Sequence, residues 1–152
     1  MKREQKSLTN KGFSLVELII VVAIMAVLIG VLAPQYLRYV EKTRLQKDNS
    51  SIAEVANVIK MASAEETVIT QLSTGSVTYN FGPTGMTTVG STALDAEIKA
   101  TIDPAEVKVT SNTYSDAAPV LKVEVDSTSK QIKVSATGWI DTPGGTGDTK
   151  TF

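Results

Sequence analysis

The sequence predicts an α+β fold: a long N-terminal α-helix, membrane-spanning in its first half and amphipathic in its second, packed on a small antiparallel β-sheet. Three observations carry this. Leu18 to Ala33 is an unbroken run of sixteen residues without a charge or a polar side chain, LIIVVAIMAVLIGVLA. After it, a helical spacing of three or four continues through Leu37, Glu41, Leu45, Asp48, Ile52, Val55, Ile59 and Ala62, and its outer half is an apolar stripe. Beyond Gly75 the period falls to two, the mark of strands with one face inward.

Phe13 to Ala33 as a helix spans roughly 31 Å at about 1.5 Å per residue, close to the ~30 Å hydrocarbon core of a bilayer. Arg44 to Ser51 is mostly polar all round, whereas Ile52, Val55, Ala56, Ile59 and Ala62 make an apolar stripe that packs on the chain's own domain. The helix is expected to run from Phe13 to about Leu72. Val77, Tyr79 and Phe81 alternate with polar residues before the turn-rich Gly82-Pro83-Thr84-Gly85. Ala93 to Thr101 reads as a short helix ahead of Asp103-Pro104, and Val107 to Thr110 as a further strand. Leu121, Val123 and Val125 should face Ile132, Val134 and Ala136 across a short connection, a hairpin with Lys122, Glu124 and Lys133 outside. Asp141 to Phe152, rich in glycine, reads as loop.

Composition removes whole function classes. The 152 residues contain no Cys and no His, so thiol nucleophiles, imidazole bases, Cys/His zinc sites and disulfides are excluded. Any catalysis would rest on carboxylates, Lys, Ser/Thr or Tyr alone. The formal charge is −1, and the basic residues are not interleaved with an aromatic ladder, so nucleic acid is not indicated as a partner.

The mean hydropathy of +0.05 conceals the division along the chain. Lys2, Arg3, Lys6 and Lys11 precede the apolar run with Glu4 as the one acid, giving the first twelve residues a charge of +3. A basic start and an apolar stretch outline a secretory signal, but the small-x-small triplet Ala62-Ser63-Ala64 lies about thirty residues too far on for ordinary cleavage. An uncleaved anchor is the plain alternative. Arg38, Lys42, Arg44 and Lys47 behind the run equal the basic residues in front, so the positive-inside count is a tie. Glu41 and Asp48 dilute the second cluster and favour the leader on the inner side. That cluster itself reads as a solvated helix face whose long side chains snorkel to headgroups.

Glu17 contradicts a generic anchor, because a carboxylate at the membrane centre costs at least ~2.5–3.5 kcal/mol and asks for a partner. Hydration at headgroup depth is the plainer reading. Gly30 and Pro34 form a second constellation. Pro34 has no N–H for the Gly30 carbonyl and its ring crowds that oxygen, so a kink or weakened turn is expected there.

The string Lys11-Gly12-Phe13-Ser14-Leu15-Val16-Glu17-Leu18 resembles the prepilin signature of the type IV pilin superfamily, which includes type IV pilins and the pseudopilins of type II secretion and competence systems. The likeness runs from Lys11 to about Tyr36. It implies a leader, residues 1–12, removed by a prepilin peptidase between Gly12 and Phe13, and N-methylation of the new Phe13 amine. It also implies that Glu17 neutralises the N-terminal ammonium of a neighbouring subunit during assembly, although spacing alone equally allows pairing within one subunit. The same likeness implies that the Gly30 to Pro34 stretch changes order on assembly. Residues 13–37 would then be the membrane and filament-core helix, and 38–152 the amphipathic half-helix plus a globular β head. The implied partners are further copies of the chain in a helical filament, the peptidase, an assembly platform protein, its ATPase and the cytoplasmic membrane before assembly. The end state is a filament on the cell surface. The absence of cysteine departs from the many pilins in which a disulfide closes a C-terminal loop.

The function this implies is that of a structural subunit of a type IV pilus, serving adhesion, motility or aggregation, and not of an enzyme. A pseudopilin of a secretion or DNA-uptake system is the alternative, and a membrane-anchored domain of another class is a third. No cofactor is expected, with one candidate metal: Asp141 and Asp148 flank a glycine-rich turn that faintly resembles the calcium loop of major pseudopilins, and reads equally as a solvated loop. Asn49-Ser50-Ser51 matches a glycosylation sequon. The adjacent Glu65 and Glu66 would point different ways on a helix and do not form a catalytic pair.

Overall fold

The computed structural model describes residues 12–64, 66–72, 75–90, 92–114, 118–126, 129 and 131–152. The chain divides into two compact units, Met1–Leu37 and Arg38–Phe152. Helix α1, Leu15–Ala62, begins in the first and continues into the second. The basic leader residues Lys2, Arg3, Lys6 and Lys11 lie outside the described residues, as do Glu65 and most of the connection between the predicted hairpin strands.

In the first unit α1 presents an apolar surface on every side. All its residues from Leu15 to Leu37 are exposed, and the segment is long and apolar enough to cross a membrane. A helix apolar all round belongs in lipid or against other apolar surfaces, since water cannot solvate it favourably. The helical assignment runs unbroken through Gly30 and Pro34.

In the second unit one face of α1 enters a core. Leu45, Asp48, Ile52, Val55, Ala56, Ile59 and Ala62 are buried at helical spacing, and the apolar members share a cluster with Tyr79, Leu121, Val123, Val134 and Trp139 of the sheet. The predicted helix to Leu72 is in fact two. Ser63 is fully buried and its hydroxyl turns back to the Ile59 carbonyl, while the Ala64 N–H bonds Met61, one residue short of the α-helical partner. That tightening closes α1, and α2, Glu66–Leu72, follows.

The sheet has five antiparallel strands in the order β2-β1-β3-β4-β5. β1 (Val77–Gly82) alternates buried and half-buried residues, as its period of two requires. β3 (Val120–Val125) and β4 (Ile132–Trp139) pair Leu121 with Ala136, Val123 with Val134 and Val125 with Ile132. This is the predicted hairpin in the predicted register. The helix expected at Ala93 to Thr101 is α3, Thr92–Thr101.

One strand was not expected, and two further expectations are corrected. Gly85–Val89 is a strand, β2, that folds back on β1 after the Pro83-Thr84 turn. Val107 to Thr110 is not a strand. Val107 and Val109 are buried alternately, but the segment's N–H groups leave for other partners: Val109 bonds the Gly82 carbonyl and Thr110 a carboxylate of α1. The C-terminal segment is not all loop, because Asp148–Thr151 forms β5 on the edge of β4. Its four side chains are exposed, so no hydrophobic alternation announces it. What holds it is the aromatic pair beside it: the Phe152 ring meets Trp139 edge-on at 5.4 Å, and the Lys150 ammonium lies 4.3 Å from the Trp139 ring centre.

Gly85 is the turn position that admits no side chain. Its φ is +132°, and a Cβ there would stand 2.7 Å from the Pro104 carbonyl oxygen, the same oxygen that accepts the Met86 N–H at 2.9 Å. Gly85→Ala is therefore expected to destabilise the head by about 1–3 kcal/mol, read as a lower denaturant midpoint for the detergent-solubilised chain.

Candidate functional site

The N-terminus of α1 gathers three of the residues singled out from the sequence, Gly12, Phe13 and Glu17. Gly12 and Phe13 precede the helix and are exposed, Phe13 at 93%. A Cβ on Gly12 would meet nothing within 4 Å, so the chain's own packing does not demand glycine there. Ser14 stands at the N-cap: the Leu18 N–H bonds its carbonyl at 3.3 Å. Glu17, three residues on, turns its Oε2 back to accept the Ser14 N–H at 3.0 Å.

Ser14-x-x-Glu17 is thus a capping box, in which the acid satisfies a backbone donor that the helix start would leave bare. Reading Glu17 only as a charge in an apolar run misses this, although the spacing signals it. The carboxylate is exposed and keeps Oε1 for a second donor. A fresh Phe13 ammonium, in the same subunit or a neighbouring one, would be a donor of the right charge. One acid can in this way cap its own helix and take up an ammonium at once.

Gly30 and Pro34 lie farther along the same exposed apolar helix, and a Cβ on Gly30 would also meet nothing within 4 Å. The Gly30 carbonyl has no N–H to receive from Pro34, so this turn is held by one backbone bond fewer than its neighbours.

In the second unit the polar residues of α1 serve the head. Asp48 is 1% exposed, and its carboxylate accepts the Thr110 N–H at 2.9 Å, the Thr110 hydroxyl at 3.0 Å and the Ser111 N–H at 2.8 Å. Two turns earlier Glu41 accepts the Thr113 N–H and hydroxyl, both at 2.9 Å. Asn49 uses both ends of its amide: Nδ2 donates to the Ile140 carbonyl at 2.8 Å, and Oδ1 accepts the Tyr114 hydroxyl at 2.6 Å. The sequon asparagine is therefore occupied in holding β4's end to α1. These are docking contacts, in which the helix supplies acceptors to the backbone N–H groups of Thr110, Ser111 and Thr113 and to three hydroxyls, and one donor to Ile140.

Two measurable consequences follow from those contacts. Asp48→Ala would strand two backbone donors of a buried segment, and is expected to cost about 2–4 kcal/mol of head stability in a denaturant titration. Burial pushes the Glu41 carboxyl up, but hydrogen bonds from the Thr113 backbone and hydroxyl, with Ser111 and Asn112 contributing, hold it below its ordinary range. A carboxyl depressed in the folded state contributes stability that is present above its unfolded pKa and is lost as pH falls through the folded one. Melting temperature should accordingly fall on acidification below about pH 4.5, the ordinary value, and Glu41→Gln should flatten that fall.

Asp141 and Asp148 are not brought into a metal centre by a third acid. The Asp141 Oδ1 accepts the Trp139 indole N–H at 2.7 Å, Asp148 pairs across from Trp139 at the start of β5, and both are exposed. Among the described residues no group of three or more acidic side chains is placed to hold a metal ion.

The described residues thus give a capped apolar helix of membrane-spanning length, with Gly12 and Phe13 exposed before it, and a small α+β head. Residues 8–33 match the family model described as the prokaryotic N-terminal methylation motif, the leader signature of type IV pilins and pseudopilins. Neither a curated protein nor a solved structure matches the chain. The motif accordingly speaks for the N-terminus, and the head rests on its own geometry.

Proposed function

We propose that this chain is the precursor of a type IV pilus subunit: cleaved after Gly12, methylated on the Phe13 amine, held in the cytoplasmic membrane by residues 13–33 and polymerised through that helix into a surface filament. The observation that carries the reading is the methylation motif set at the start of a helix whose apolar side chains from Leu15 to Leu37 are exposed. Such a surface needs lipid before assembly and other copies of itself afterwards. The motif implies a structural subunit rather than an enzyme, and implies the peptidase, the platform protein and its ATPase as the machinery that handles it.

The head supports the reading with a core of its own, drawn among the described residues from α1 (Leu45 onward), α2, α3, the sheet and residues 107–114. Gly30 to Pro34, short of one helical bond, is the candidate for a change of order when lipid is exchanged for neighbouring helices.

The test is immunogold microscopy of surface material sheared from cells, with antibody to residues 38–152. Filaments far longer than the envelope is thick, labelled along their length, are the expected result. Short fibres confined to the envelope would move the chain to the pseudopilins, which share the leader. Label only in membranes, with no fibre, would contradict both.

A further inference from the structure

Arg38, Lys42, Arg44 and Lys47 follow directly on the apolar run, and the structure alters how this band reads. All four are exposed, and among the described residues the ion pairs are Lys99–Asp95 and Lys122–Glu124, neither of which uses them. The two acids within the band are withdrawn from it. Asp48 is buried against Thr110 and Ser111, and the Glu41 carboxylate is taken by Thr113. The dilution that the sequence suggests is therefore weakened at the surface: Asp48 is buried, Glu41 is half-buried and turned to Thr113, and among the described residues neither acid is ion-paired with the four cations.

Their azimuths point to the partner. At about 100° per residue, Arg38, Lys42, Arg44 and Lys47 lie at roughly 0°, 40°, 240° and 180° around the helix axis. The head takes the face of Glu41, Leu45 and Asp48, at about 280–340° on the same scale; a protein partner docking on one of the remaining faces would leave part of the set unused, whereas lipid headgroups can reach all of them.

We propose that this band is a contact for anionic phospholipid, with the phosphate-bearing headgroups of acidic lipids gathered around α1 at residues 38–47. The inference rests on the membrane stage of the reading above, and not on polymerisation. Each Lys or Arg near such a surface contributes attraction that salt weakens within a Debye length. The band would then hold the waiting subunit at the headgroup level until assembly withdraws it.

The experiment reconstitutes the full chain in phosphatidylcholine vesicles and compares spin-labelled phosphatidylglycerol with spin-labelled phosphatidylcholine at the protein. The wild-type chain is expected to prefer the anionic lipid at least about fivefold at low salt, and much less in 0.5 M salt. The combined variant Arg38→Gln, Lys42→Gln, Arg44→Gln, Lys47→Gln should lose the preference, while Lys42→Arg with Lys47→Arg should keep it. Near-ultraviolet signal from Trp139 reports whether each head is folded. A wild type without preference, or a folded Gln variant that retains it, overturns the proposal. So does a Gln variant with unchanged lipid preference but weakened self-association, which would assign the band to the acidic groove of a second copy, lined by Glu54, Asp103 and Glu106. A chain that fails to co-float with vesicles overturns the proposal together with the membrane stage beneath it.

Discussion

Replacement of Gly12 by valine is expected to leave the chain in the membrane with residues 1–12 attached and no filament on the cell. The reasoning is that the chain itself has no use for glycine at this position, since a Cβ there touches nothing within 4 Å. A requirement for glycine, if measured, must come from what binds the Gly12–Phe13 bond, and a peptidase that draws an extended backbone into a narrow cleft is the agent the motif implies. The head of the variant should fold as in the wild type, because among the described residues its core begins at Leu45. Unchanged thermal melting of the head beside complete loss of processing is the outcome that separates a recognition defect from a folding one. Normal removal of the leader from Gly12→Val would remove the peptidase from the account.

The second large effect belongs to Glu17, and two substitutions divide its roles. Glu17→Ala removes both the cap on the Ser14 N–H and the negative charge, whereas Glu17→Gln keeps an oxygen able to cap and removes the charge alone. Breaking one partner of a buried ion pair costs about 3–5 kcal/mol, a factor of about a hundred or more in the equilibrium for adding a subunit. If Glu17 meets a Phe13 ammonium in the filament, both variants should be inserted and cleaved yet give little or no filament. Filament yield and processed chain in the membrane are measured side by side. Glu17→Gln filaments at wild-type yield would show that the cap alone matters and that no charge is paired there.

How far the fold could be read from the residues depended on whether each element's partner was apolar. The β3–β4 hairpin was legible to the residue because three apolar pairs fix its register, and a slip by one would turn Leu121, Val123 and Val125 outward. The stripe of α1 was legible for the same reason. The segment 107–110 misleads because its burial does alternate, while its backbone is claimed by Asp48 and Gly82. β2 and β5 carry little alternation of their own. The first is set by the Gly82 to Gly85 turn, and the second by the Trp139, Lys150 and Phe152 contacts. The division of the predicted helix after Ala62 is marked by the Ala64 N–H turning to Met61, a tightening that no pattern of residue types announces. At the N-terminus the motif was legible from eight residues, within the 8–33 match, whereas the capping role of Glu17 lay in the spacing to Ser14 and not in its charge.

The central claim is that this chain leaves the membrane as a shortened, methylated subunit of a filament. The intact mass of the chain in material sheared from cells tests it most directly. A mass that begins at Phe13 and carries one added methyl group is the expected result. A chain that still carries Met1 to Gly12, found in membranes and absent from the sheared fraction, would contradict it.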